Sequence, residues 1–186
     1  MKTYKPIGLG FCSQKFGENK VPFYKQLNML GHNGIDWGCQ IGTPIHWNGS
    51  KRGTVTRVVS EPTKGMGVYI RCEDNLYVFW HTSENLVQAG DEVESGDLIA
   101  KSGNSGLYTT GPHLHWGWYK IDPNGNILNR DNGYGGAIDP INEDYTDVFI
   151  VDYKENLKKQ LANLTKQVSI WQKIVEIMCR IFKGRC

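Results

Sequence analysis

The chain lacks most of the features that would set it apart from an ordinary globular protein. Its five cysteines, Cys12, Cys39, Cys72, Cys179 and Cys186, are odd in number, widely spaced and include no Cys-x-x-Cys pair. That argues against a disulfide framework or a four-cysteine zinc site and leaves reduced thiols. Nowhere are there 18 consecutive apolar residues, so no transmembrane helix is expected. Met1-Lys2-Thr3-Tyr4-Lys5-Pro6 carries charge with no apolar run behind it, and the expectation is a protein made without its own export signal. Histidine is scarce as well, at five residues in 186, so the positions of the five carry information.

What is abundant is glycine and aromatic residues: 22 Gly, 6 Trp and 9 Tyr. These favour strands joined by tight turns over a helical bundle. Between residues 42 and 101 the sequence breaks into short apolar segments, 53–59, 67–72, 76–81, around Val87 and Val93, and 97–100. Such short segments, with turn residues between them and no helical period, predict antiparallel sheets in a sandwich or barrel-like domain. Gln88-Ala89-Gly90-Asp91 and Glu94-Ser95-Gly96-Asp97 read as two successive turns, and Asp122-Pro123-Asn124-Gly125 as a third. Residues 1–30 read as an irregular leading segment, with at most a turn or two of helix over 24–30. The mainly β domain is expected to occupy residues 1–147, and a long amphipathic helix to follow over 148–186.

The net charge of +2 is unevenly spread: residues 152–186 hold eight basic and three acidic side chains, leaving a net −3 before them. Residues 152–183 contain no Gly or Pro, with Asp152 placed as a cap or first-turn acid. Leu157, Leu161, Leu164, Val168, Trp171, Val175, Met178 and Phe182 recur at alternating intervals of four and three, a 3.5-residue period. Ile170, Ile174, Ile177 and Ile181 add a second stripe. Three uses fit this pattern: packing on the β domain, self-association through a coiled coil as a homo-oligomer, or contact of a basic amphipathic helix with a membrane surface. Nothing in the sequence points to a nucleic-acid partner.

The chemistry-bearing residues cluster in three places. His113-Leu114-His115 sits in a run that favours strand, so its two imidazoles share one face and Leu114 the other. His32 and Asp36 lie four apart among glycines, on a turn leading into a short strand, and His81 ends the 76–81 segment. His46 has no polar companion and reads as a partly exposed strand residue. Cys39 reads as a small buried thiol rather than a ligand, and Trp47, Trp116, Trp118 and Tyr119 as core. Tyr108, in the glycine-rich loop 101–112, is the aromatic assigned to a groove rim. Catalytic zinc takes about three protein ligands and keeps a position open. Two His and one Asp suit it, and two histidines then remain for proton handling.

In order and spacing, His32-Asn33-Gly34-Ile35-Asp36, Trp80-His81-Thr82-Ser83 and Gly111-Pro112-His113-Leu114-His115 resemble the His-x-x-x-Asp, His and His-x-His motifs of the lysostaphin-like (LytM-type) zinc endopeptidases. Residues 87–100 and Ser102-Gly103-Asn104-Ser105-Gly106 resemble the segment between that family's second and third motifs, and the likeness spans roughly residues 14–140. The resemblance implies the family's duplicated hybrid β fold and hydrolysis of peptidoglycan by one Zn2+ per chain. It also implies His32, Asp36 and His115 as ligands and His81 and His113 as unliganded catalytic groups. Departures fall at His46, Trp47 and Trp80, larger than is common there, and are expected to alter groove shape and substrate preference. With no export signal, the expected source is a bacteriophage, the enzyme reaching the cell wall at lysis or in a virion. The alternative is a non-catalytic wall-binding or structural particle component with the same fold.

Overall fold

The computed structural model describes residues 2–20, 22–143 and 145–183, and the chain divides into two compact units, Met1–Ile150 and Val151–Cys186. The first is built on strand alternation. Its strands among the described residues are β1 (Thr3–Lys5), β2 (Phe11–Gln14), β3 (Ile35–Gly38), β4 (Pro44–His46), β5 (Gly53–Glu61), β6 (Gly65–Cys72), β7 (Asn75–Asn85), β8 (Glu92–Val93), β9 (Leu98–Ser102), β10 (His113–Lys120) and β11 (Tyr145–Phe149). A four-residue helix, α1 (Phe23–Gln26), lies between β2 and β3. The turns read from sequence close as expected: Asp91 N donates to Gln88 O, Asp97 N to Glu94 O and Gly125 N to Asp122 O.

Nine strands form one sheet in the order β2-β3-β10-β7-β6-β5-β8, antiparallel throughout, with β4 joined through β9 to the far end of β7. Strand β7 is the pivot. Residues 75–80 are hydrogen-bonded between β6 and β10, whereas Thr82–Asn85 turns to β9. A parallel pair, β1 with β11, makes a second small sheet.

The period-two pattern sends alternate residues to two cores. Tyr77 and Phe79 of β7 and Leu114, Trp116 and Trp118 of β10 join Ile35, Trp37, Ile45, Trp47 and Ile99 in the larger one. Each such fully buried side chain contributes roughly 1.5–3 kcal/mol. Val78, Trp80 and Tyr119 face the other way, into a smaller cluster with Tyr69 and Ala137 that Phe16 and Tyr134 cover. His115 lies on this second face, between Leu114 and Trp116.

The leading segment is more ordered than its composition predicts. It supplies β1, β2 and α1, and β2 adds an edge strand to the main sheet through Phe11↔Gly38 and Cys12↔Trp37. Three backbone hydrogen bonds that composition does not encode fix it to His32 and Gly133: Gly17 N to His32 O, His32 N to Glu18 O and Leu30 N to Gly133 O.

Helix α2 runs Ile150–Lys183, 34 residues. Asp152 falls in its first turn, but the side chains of Asp152, Ile177, Cys179, Ile181 and Phe182, with residues 184–186, lie outside the described residues. Leu157, Leu161, Leu164, Val168, Trp171, Val175 and Met178 are all exposed. Among the described residues no helix is long and apolar enough to cross a membrane.

Candidate metal centre

Strand pairing brings the centre together. His115 on β10 is the direct cross-strand partner of Asp36 on β3 and, on its other side, of Trp80 on β7. His32 arrives from the turn before β3, where His32 N donates to Glu18 O and Gly17 N to His32 O. Gly31 approaches Gly17 so closely that a Cβ would lie 2.4 Å from the Gly17 carbonyl oxygen. The leading segment is therefore part of the centre's scaffold.

Three atoms converge. His32 Nε2 lies 3.0 Å from Asp36 Oδ1 and 3.0 Å from His115 Nδ1, and His115 Nδ1 lies 2.9 Å from Asp36 Oδ1. All three residues are buried. Burial opposes the charge on Asp36, yet its contacts with His115 and His32 hold the carboxyl well below the usual carboxylate range. Burial pushes the His115 imidazole down to about 4, against the pull of Asp36. At neutral pH the carboxylate is charged and His115 neutral.

Protons alone cannot satisfy this triangle. His32 Nδ1 is 3.2 Å from the Lys15 carbonyl; with its proton donated there, Nε2 faces Asp36 Oδ1 as acceptor against acceptor. A proton on His115 Nδ1 can serve only one of its two neighbours. Wherever the protons are placed, at least one edge sets like against like, lone pair facing lone pair or N–H facing N–H, and a cation facing all three unprotonated atoms removes the conflict. Two imidazole nitrogens and one carboxylate oxygen suit zinc, and three protein donors is the number of catalytic sites.

The other two histidines are held differently. His113 lies on the same strand face as His115, with Nδ1 2.8 Å from the Gly111 carbonyl and Nε2 3.7 Å from Asp36 Oδ2. His81 follows Trp80, so strict alternation would turn it into the larger core; instead its φ of 64° breaks the pattern. Its ring lies 4.6 Å from that of His113 and 6.2 Å from that of His115. Such a backbone conformation costs on the order of 1–3 kcal/mol and persists where surrounding contacts enforce it. Here they are supplied by Ser105: its carbonyl takes the His81 Nδ1 proton at 2.9 Å, and its hydroxyl donates to Thr82 O and accepts from Met66 N. Burial lowers the pKa of His81, opposed by that carbonyl.

The glycine-rich loop is bound to the β5–β6 turn by Leu107 N to Pro62 O and Tyr108 N to Thr63 O. Gly106 is required in this contact, since a Cβ would lie 2.4 Å from Gly65 N. Tyr108 stands 39% exposed on this loop, its ring edge-on to Phe23 of α1 at 4.8 Å.

The structure thus gathers His32, Asp36, His81, His113 and His115 into one site. His46 stays apart, with Nδ1 on Gly96 O and its ring against Phe149. Cys39 is half-buried rather than buried, packed against the larger core and outside the donor cluster. Of the three departures from the family pattern, Trp47 is fully buried in the core, its Nε1 donating to Lys51 O, and His46 lies outside the donor cluster. The third, Trp80, stacks on the His115 ring. The carbonyls of Lys15, Ser105 and Gly111 were not foreseen, because every residue carries one; only the concentration of glycine around them gave a signal.

The profile of Peptidase family M23 matches residues 30–140, and the chain belongs to that family. It is 40% identical over 87 residues to the peptidoglycan DD-endopeptidase ShyA of Vibrio cholerae, a match covering 46% of this chain and 19% of ShyA. It is 33% identical over 104 residues to lysostaphin of Staphylococcus simulans, covering 55% and 21%. The matches thus span about a fifth of the length of these curated relatives. Among solved structures, LytU aligns with a TM-score of 0.55 at 31% identity, covering 72% of this chain and 83% of LytU.

Proposed function

We propose that the protein is a zinc-dependent endopeptidase that hydrolyses peptide bonds of bacterial peptidoglycan, in stem peptide or cross-bridge. The observation that carries this reading is the acceptor triangle of His32 Nε2, Asp36 Oδ1 and His115 Nδ1 beside two carbonyl-held histidines. The triangle holds the ion. Zinc bound there supplies Lewis acidity, drawing electron density from a carbonyl and acidifying water. His81 and His113 do the proton work: each holds Nδ1 against a carbonyl and so turns Nε2 toward the site. One takes a proton from the attacking water and passes it to the leaving amine; the other, protonated, steadies the oxyanion. Tyr108 contacts substrate at the rim. The activity named for ShyA supports peptidoglycan as the substrate.

The test is zinc content of the purified protein together with release of new amino groups from purified peptidoglycan, fragment masses assigning the bond cut. One zinc per chain and amine release are expected. Neither appearing would favour the alternative, a non-catalytic wall-binding or structural component, for which α2 is an assembly device. Self-association through α2 belongs to either reading, supported by its exposed 3.5-period stripe. Sedimentation of the full chain should give at least a dimer, and Leu164→Glu a monomer; a monomeric wild type that binds anionic vesicles would assign the stripe to a membrane surface.

A further inference from the structure

A histidine that ligates a metal normally donates its other ring N–H to a carbonyl, carboxylate or water, which fixes the tautomer and orientation of the ring. Three of the four histidines in the centre have such a partner for the nitrogen turned away from it: His32 on Lys15 O, His81 on Ser105 O and His113 on Gly111 O. His115 does not. Its Nδ1 faces Asp36 and His32, and its Nε2 is buried with no hydrogen-bond partner among the described residues. Packing takes the place of the missing bond. Trp80, its cross-strand partner, lies parallel to the imidazole at 13° with centroids 4.9 Å apart. Near the ring's edge is Gly34, where a Cβ would sit 2.8 Å from His115 Cε1 and 2.9 Å from Nε2.

We propose that Trp80 is a positioning residue for His115, its stacked indole doing for this ring what a carbonyl does for the other three. The indole is itself confined. Gly67 leaves it room, since a Cβ there would meet Trp80 Cδ1 at 2.6 Å, and Lys64 Nζ lies 4.6 Å from its centroid in a cation–π contact. Stacking fixes the plane of the imidazole, and the bare backbone of Gly34 limits how far it slides; together they aim Nδ1 at the triangle. The inference rests on the reading of His115 as a zinc ligand.

Competition with a chromophoric chelator measures zinc affinity without using turnover. Trp80→Leu should weaken zinc binding by roughly 10- to 100-fold, the loss expected for an outer-shell partner, while Trp80→Phe, which can still stack, should stay within a few-fold of wild type. Circular dichroism of the zinc-free proteins identifies variants that remain folded, and Trp80→Met replaces the leucine should that one unfold. Zinc should also change indole emission in the wild type and much less in Trp80→Phe. A folded Trp80→Leu or Trp80→Met that binds zinc as the wild type does would overturn the proposal. A wild type that binds no zinc would instead overturn the reading of the centre on which it rests.

Discussion

The floor and the rim of the centre are held in place by different physics. On the floor, Asp36 and His115 are set by strand register on β3 and β10; their geometry follows from the ladder, from Trp80 stacked above and from the absence of a side chain at Gly34. At the rim, His32, His81 and His113 are oriented by single backbone carbonyls from Lys15, Ser105 and Gly111. Ladder and packing constraints are shared over many contacts, whereas a carbonyl lock can be lost with one loop. The floor, together with the third donor His32, should therefore govern whether an ion is held, and the rim pair His81 and His113 how fast the held ion is used.

The largest effects should come from breaking the floor. His115→Ala or Asp36→Ala should leave little zinc after gel filtration and lower peptidoglycan hydrolysis by more than about 1,000-fold, since one remaining imidazole with one other donor falls short of the three ligands a catalytic site uses. Next come the rim bases. His81→Ala and His113→Ala should each keep one zinc per chain, measured by elemental analysis, and lose roughly 100- to 10,000-fold in kcat, the usual range for a general acid or base. Wild-type rates in both would refute the division of roles.

A smaller loss should follow from loosening a lock rather than removing a base. Ser105→Ala deletes the hydroxyl's bonds to Met66 N and Thr82 O and frees the loop whose carbonyl holds His81. About a tenfold fall in kcat is expected with KM and zinc content unchanged, and Ser105→Thr, which keeps the hydroxyl, should recover most of it. Smallest of all, His46→Ala should alter kcat less than twofold, because the His46 ring meets Gly96 O and Phe149 and lies outside the donor cluster.

The same contrast explains what could be read before the fold was known. The alternation of side chains along one strand is local and periodic, so His113-Leu114-His115 shows a shared face in the sequence, and the buried Leu114 is its counterpart on the other. The strands between residues 53 and 102 were legible for the same reason. Rim geometry is long-range: His81 leaves its alternation through a φ of 64° imposed by contacts 24 residues away. His32 depends on Lys15 and Glu18, in a stretch whose mixed composition gave no sign of strands β1 and β2. Trp80 looked like a groove residue because pattern gives its neighbours in sequence and not the imidazole beneath it.

The central claim is that the two histidines of one strand, alike in sequence, divide between metal and substrate. Zinc content of His115→Ala and His113→Ala, purified side by side and folded by circular dichroism, tests it most directly. The account predicts close to none in the first and one ion per chain in the second; equal zinc in both, whether full or absent, would contradict it.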